Sequence, residues 1–97
     1  MIVTMKKIGT VLNSRPAGRE AFLAIRPSLP PVGDQDIILD FGGVEVLTPS
    51  FADEFIPALA AEKRYRITFV HTENITVQKT LAFLMPDWKD RGFAFLI

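Results

Sequence analysis

Four side chains that could do chemistry fall near the ends of predicted strands: Asp40, Thr48, Ser50 and His71. Asp40 ends a short apolar run, His71 ends a later aromatic and β-branched run, and the two hydroxyls precede a predicted helix. If both strands belong to a parallel sheet, their carboxyl ends share the edge at which open α/β folds bind ligands. An aspartate, a serine and a histidine at one edge would suit nucleophilic hydrolysis. The sequence therefore raises the hypothesis of a small-ligand-binding or hydrolytic site at Asp40, Ser50 and His71.

The surroundings of Ser50 weaken the hydrolase hypothesis. A catalytic serine in an α/β hydrolase stands on a strained, glycine-flanked elbow, whereas Ser50 follows Pro49 at a predicted helix start. No oxyanion-hole motif accompanies it, and Gly42-Gly43 is too short for a phosphate-binding loop. A carboxylate at the end of a buried strand needs a partner, so we expect Asp40 to bond loop amides near Gly42-Gly43, or Arg15, rather than a metal. We therefore predict that the chain is not an enzyme and uses no cofactor.

The elements that would position these side chains centre on the segment from Ile37 to Leu59. The unbroken apolar run Ile37–Leu39 predicts a strand buried on both faces, and Gly42-Gly43 predicts a turn. Ser50 is a favourable N-cap residue, and Asp53 lies three positions later, where a capping-box carboxylate would reach back. The apolar residues that follow recur at helical spacing: Phe51, Ala52, Phe55, Ile56, Leu59 and Ala60.

Pro57 falls inside this predicted helix. A proline there removes the hydrogen bond to the carbonyl of Asp53 and costs about 3 kcal/mol. The sequence leaves two outcomes open, a kink at Pro57 or a split into two shorter helices.

Hydrophobic patterning predicts five further elements around this central unit. They are a strand at Ile2–Ile8 with Lys6-Lys7 suiting a sheet edge, a helix between Asn13 and Pro27, a strand at Tyr65–His71, a helix capped by Asn74 or Thr72 and ended by Pro86-Asp87, and a strand at Gly92–Ile97. Alternating strands and helices indicate a single α/β domain over residues 1–97, with a largely parallel or mixed four-stranded sheet and about three flanking helices.

Composition excludes several function classes. The chain has 97 residues, and its 11 basic and 11 acidic side chains cancel, so it lacks the broad positive surface of a nucleic-acid-binding protein. With no cysteine and one histidine, a structural zinc site is not expected. No apolar run approaches the roughly 20 residues of a membrane helix. These features favour a cytoplasmic protein that binds neither nucleic acid nor membrane.

Two short motifs carry a family resemblance: Asp40-Phe41 with Gly43-Val44, and the run Ser50–Glu54, with a weaker match at Ser14-Arg15. On these residues the chain resembles a STAS-like family of unknown function, a relative of the sulphate-transporter and anti-sigma-factor-antagonist (STAS) domain. The resemblance implies a small sheet flanked by helices that acts as a bacterial regulatory switch by binding another protein. In the antagonists, a serine at the start of the helix after the central strand is phosphorylated by a partner kinase.

The antagonist pattern is roughly Asp-Ser-Ser-Gly, and the corresponding positions here are Thr48, Pro49, Ser50 and Phe51. Ser50 is therefore the phosphoacceptor candidate that the resemblance implies, and Thr48 is a second hydroxyl in the same loop. The implied partner is a kinase-like ATPase or another sensor protein. The residues expected to contact it surround the helix start: Gly42, Gly43, Pro49, Ser50, Asp53 and Glu54.

Each of these residues also has a structural interpretation. Ser50 as a helix cap would contribute about 1 kcal/mol, and Asp53 and Glu54 would be favoured in the first turn by the helix dipole.

Trp88, predicted in a loop after Pro86, would cover one end of the core or anchor a partner. The apolar last strand would need cover, for example in a homodimer, if it lies at a sheet edge.

Overall fold

The computed structural model describes residues 1–31, 35–93 and 95–96. Its strands are β1 (Ile2–Thr4), β2 (Val11–Leu12), β3 (Asp36–Asp40), β4 (Val46–Leu47), β5 (Arg66–Val70) and β6 (Phe95–Leu96). Its α-helices are α1 (Arg15–Ile25), α2 (Pro49–Lys63) and α3 (Ile75–Asp90), with short 3₁₀ helices at Met5–Lys7 and Arg26–Ser28.

Four strands form the main sheet in the order β1-β3-β5-β6, with every neighbouring pair parallel. Ile2 lies opposite Ile38, and Ile38 lies opposite Thr68. Because each connection joins neighbouring parallel strands, right-handed crossovers place the three helices on one face of the sheet. There α1 packs on α2, and α2 packs on α3. The predicted α/β class, with a largely parallel four-stranded sheet and three helices, is confirmed.

Side chains alternate along the strands between a buried and a partly exposed face. Ile37 and Leu39 are buried beneath the helices, whereas Ile38 is only partly buried and Ile2 is exposed. The prediction that Ile37–Leu39 is covered on both faces is therefore wrong. The described helices cover one face because successive strands are sheet neighbours, so no crossover passes over the other face.

A second, two-stranded parallel sheet pairs β2 with β4. The predicted strand Ile2–Ile8 is too long, since after Thr4 the chain turns into a 3₁₀ helix that buries Met5. Side chains of α3 occupy the other edge of β4. The Leu47 N–H donates to Thr76 Oγ1 at 3.1 Å, and the Thr80 hydroxyl donates to the Leu47 carbonyl at 2.8 Å.

The helix α2 continues unbroken past Pro57, so of the two outcomes left open the split does not occur. Pro57 itself is buried, and the six apolar residues predicted for this helix face are all buried as expected. Packing of that face stabilises the helix enough to compensate for the backbone hydrogen bond that is lost at proline.

The helix α3 begins after Asn74, whose side-chain oxygen accepts from the N–H groups of Thr76 and Val77, confirming one of the two predicted caps. It then runs through Pro86 to Asp90, so the predicted end at Pro86-Asp87 is wrong. Trp88 therefore lies on the helix, completely buried, with its ring 5.2 Å from that of Phe95. Anchoring of this large side chain holds the last turn together beyond the proline. In the described part of the chain, no helix is long and apolar enough to cross a membrane.

Candidate functional site

The carboxyl ends of β3 and β5 bring Asp40 and His71 together. Asp40 lies opposite Val70 in the sheet, so His71, the residue after Val70, lies next to Asp40. The Nδ1 atom of His71 lies 2.8 Å from Asp40 Oδ1, and the Gly42 N–H donates to the same oxygen at 2.8 Å. The predicted bond from Asp40 to a loop amide is confirmed. The alternative partner, Arg15, instead contacts Asp53 and Glu54.

Two glycines allow the chain to turn tightly against this pair. Phe41 and Val44 close the turn with a backbone bond of 3.1 Å, and Gly43 has a φ of +80° that favours glycine. A Cβ on Gly42 would lie 3.1 Å from Asp40 Oδ1 and 3.6 Å from the Cβ of His71. A Cβ on Gly43 would lie 2.7 Å from Cδ of Lys6. The imidazole and the lysine therefore flank the same two-residue turn.

His71 has two unusual properties for a residue at a strand end. Its φ is +55°, a left-handed conformation that residues with a Cβ adopt at a cost. Its side chain is 63% exposed even though it is hydrogen-bonded to Asp40. The ring is thus held in position at the surface.

Electrostatics couples the two groups. The Gly42 N–H bond, followed by the His71 bond, lowers the pKa of Asp40 below its ordinary value of 3.8. The hydrogen bond to Asp40 and the charge of Asp40 raise the pKa of His71 above 6.5. The contact therefore favours a protonated imidazole beside an ionised carboxylate.

Ser50 is not the cap of α2. Thr48 is the N-cap, with its Oγ1 accepting from the Phe51 N–H at 3.4 Å, and Pro49 occupies the first helical position. The Thr48 hydroxyl also donates to the Leu12 carbonyl at 3.3 Å. Ser50 is partly exposed, with its Oγ 3.4 Å from Thr48 Oγ1.

Asp53 does not form the predicted capping box. Its Oδ1 accepts from Trp88 Nε1 at 3.0 Å and lies 3.3 Å from Arg91, while its Oδ2 lies 3.3 Å from Arg15. Glu54 also lies 3.4 Å from Arg15. Burial raises the pKa of Asp53, but the bonds from Trp88 and Arg15 and the charge of Arg91 outweigh it and leave that pKa below 3.8. The sequence does not predict this network, because Pro86 predicts a helix that ends before Trp88.

The predicted residues thus form two separate groups. Asp40, Gly42 and His71 meet at the edge of the main sheet, whereas Thr48 and Ser50 join α2 to the end of β2. Among the described residues, no hydrogen bond links Ser50 to Asp40 or His71, so a serine–histidine pair is not assembled. Five cavities of about 310–510 Å³ are lined by other residues. The described part of the chain also holds no group of three metal-ligating side chains.

Comparison with known protein families matches residues 26–76 to the STAS-like domain of unknown function (DUF4325). The chain belongs to this family. The match covers just over half of the chain, from the end of α1 to the start of α3, and includes both groups of candidate residues. No curated protein and no solved structure gives a significant match to this STAS-like chain. The family match therefore agrees with the fold and assigns no function.

Proposed function

We propose that this STAS-like domain is a regulatory protein-interaction module, similar in role to an anti-sigma-factor antagonist, and not an enzyme. Its partner would be a kinase-like ATPase or another sensor protein. The contact surface, here called the turn–helix surface, comprises residues 42–50. The observation that carries this proposal is that the exposed residues of this surface are fixed in place. Gly43 and Pro49 are exposed, while the chain on either side is held by the Gly42 and Thr48 hydrogen bonds.

Preorganisation of this kind favours binding, because a fixed surface loses little conformational entropy when a partner docks. Asp53 and Glu54 would form the rim of the interface. Since both carboxylates already face Arg15, they would present a partly neutralised edge rather than a strongly negative one.

Phosphorylation of Ser50 is the proposed switch. A phosphate near the start of α2 would be favoured by the free N–H groups and the dipole of the helix. Repulsion from Asp53 and Glu54 is reduced, because Arg15 contacts both carboxylates. Thr48 is the weaker acceptor, since its hydroxyl caps the helix and donates to Leu12.

The test is partner capture from host lysate with matched surface variants. Pro49→Glu changes the charge of the turn–helix surface while keeping a residue favoured in the first helical turn. Gln78→Glu adds the same charge at an exposed position on α3 and serves as the control. Loss of one specific partner with Pro49→Glu and its retention with Gln78→Glu would support the proposal. Equal retention by both variants would contradict it.

The switch is tested separately with Ser50→Ala and Ser50→Asp. If charge at this position controls binding, the two variants bind the partner with different affinities. Equal affinities would exclude the switch and leave the interaction surface intact.

A second candidate function, a small-ligand or hydrolytic site, is favoured by one observation, the contact of Asp40 with His71. Ser50 takes no part in that contact. A thermal-shift panel of nucleotides and metabolites separates the candidates, because a ligand that binds the folded state raises its melting temperature by mass action. A flat panel would count against this second function.

Homodimerisation through the last strand is a further proposal about partners. In the described sheet β6 is an edge strand, the position in which an apolar strand is open to further pairing. Sedimentation of the purified chain over a range of concentrations tests it, and a monomer throughout would exclude it.

A further inference from the structure

The one histidine of the chain is oriented by Asp40, and one of its ring nitrogens has no hydrogen-bond partner among the described residues. The carboxylate of Asp40 can only accept, so His71 must donate its Nδ1–H to it. Neutral His71 then carries its lone pair on Nε2. No hydrogen-bond partner of Nε2 exists among the described residues, and the side chain is largely exposed. In the neutral form of the ring, Nε2 is therefore a nucleophile of fixed tautomer at the surface.

The five cavities described above are lined by neither Asp40 nor His71. Because the ring is largely exposed and borders none of these five cavities, we expect another macromolecule to present the reacting group. The side chain of Lys6 lies against Gly43 in the same turn, and its ammonium group would supply a cation for a negatively charged group.

We propose that Nε2 of His71 is a phosphoryl acceptor, with Asp40 as its positioning residue and Lys6 as the cation that attracts the phosphoryl oxygens. The Nε2 lone pair attacks phosphorus in a phosphoanhydride or phosphoramidate donor and forms a P–N bond. The bond from phosphorus to the leaving group breaks, and the leaving group departs with the electron pair and takes a proton from water. The imidazolium that results keeps its Nδ1–H on Asp40, whose negative charge offsets the charge of the ring.

This inference rests on the proposed function only for its donor in the cell, a phosphate-transferring partner protein docked on the turn–helix surface. The acceptor site itself needs no partner. It is therefore testable with potassium phosphoramidate, a small donor that phosphorylates histidine directly.

The experiment treats the purified chain with phosphoramidate and follows the product by intact mass, peptide mapping at alkaline pH and phosphorus NMR. We expect one acid-labile phosphate on His71, located on Nε2. Asp40→Asn should slow the reaction about tenfold, the low end of the loss seen when a metal-ligating histidine loses its hydrogen-bond partner, and should allow the Nδ1 isomer to form. His71→Asn should abolish the reaction while keeping the fold, since asparagine tolerates the left-handed backbone.

Lys6→Ala and Lys7→Ala form a matched pair on the same 3₁₀ helix, and only Lys6→Ala should slow phosphorylation. Equal rates and equal isomer ratios in wild type and Asp40→Asn would show that His71 is an ordinary exposed imidazole and would overturn the inference. A final arm maps phosphate on the chain recovered from its host under alkaline conditions. Phosphate on His71 supports the inference, and phosphate on Ser50 alone overturns it while favouring the proposed switch.

Discussion

Trp88 donates its indole N–H to Asp53 across 3.0 Å, which joins the last turn of α3 to the first half of α2. The indole is completely buried, and Asp53 is its hydrogen-bond acceptor. Arg15 at the start of α1 contacts the other carboxylate oxygen. One side chain therefore connects all three helices, and the main role of Asp53 is structural.

Asp53→Ala should destabilise the fold, because it leaves the buried N–H of Trp88 without an acceptor. Such a loss costs about 1–3 kcal/mol, and each kcal/mol lowers the melting temperature of a domain this size by roughly 4–8 °C. Glu54→Ala is the matched control, since Glu54 loses only an exposed contact with Arg15 and should cost less than about 1 kcal/mol. Thermal unfolding of both variants measures the difference, and equal melting temperatures would contradict the structural role.

The same carboxylate predicts an acid-dependent loss of stability. The pKa of Asp53 is lower in the folded chain than its ordinary value of 3.8. Its contribution is therefore present above that value and is lost as pH falls through the folded pKa. Urea unfolding at stepped pH should show a steeper decline below about pH 4 in wild type than in Asp53→Asn. Parallel declines would show that the pKa of Asp53 does not differ between the folded and unfolded states.

Thr48, not Ser50, should determine the stability of the start of α2. Thr48→Ala removes the cap of the helix and should cost about 1 kcal/mol, whereas Thr48→Ser should restore most of it. Ser50→Ala should change stability by no more than about 0.5 kcal/mol, as for a surface position. Urea unfolding of the three variants checks this order, and a larger loss for Ser50→Ala than for Thr48→Ala would reverse the assignment.

The parts of the fold that the sequence predicted are those governed by short-range rules. The apolar face of α2 follows from helical spacing, and the bond from Asp40 to Gly42 follows from the need of a strand-end carboxylate for a nearby donor. The cap was misplaced because Thr48 and Ser50 are both good cap residues. Pro49 decides between them, since proline fits the first helical position and its N–H is not needed there.

The parts that were missed depend on contacts between distant segments. The strands β2 and β4 have two residues each, too few for a periodic pattern, and β4 is held by Thr76 and Thr80 from α3. The bond from Trp88 to Asp53 exists only because packing carries α3 past Pro86. Likewise, the sequence placed Asp40 and His71 at one edge, but only the register of β3 and β5 brings their side chains within 2.8 Å.

Gly18→Ala should destabilise the chain even though alanine favours helices. A Cβ on Gly18 would lie 2.8 Å from the carbonyl oxygen of Phe51, so α1 and α2 would have to move apart. We expect the strain of about 1–3 kcal/mol to exceed the gain of up to about 1 kcal/mol in helix propensity. Gly9→Ala is the control, since its added Cβ would meet Leu12 at an ordinary 3.4 Å. A stabilised Gly18→Ala variant in thermal unfolding would show that the helices do not pack this closely.

The titration of His71 should report directly on its contact with Asp40. The hydrogen bond and the charge of Asp40 raise the pKa of His71 above 6.5, and neutralising Asp40 in Asp40→Asn should return it toward that value. Because the folded pKa is raised, the stabilising effect of the pair is present below about pH 6.5 and is lost as pH rises through the folded pKa. Proton NMR of the single imidazole measures the pKa of His71 in wild type and in Asp40→Asn. Glu73→Gln tests the neighbouring acid and should lower the pKa of His71 less than Asp40→Asn does. Identical titration curves in wild type and Asp40→Asn would show that the two side chains are not in contact in solution, and would remove the basis for treating His71 as an oriented nucleophile.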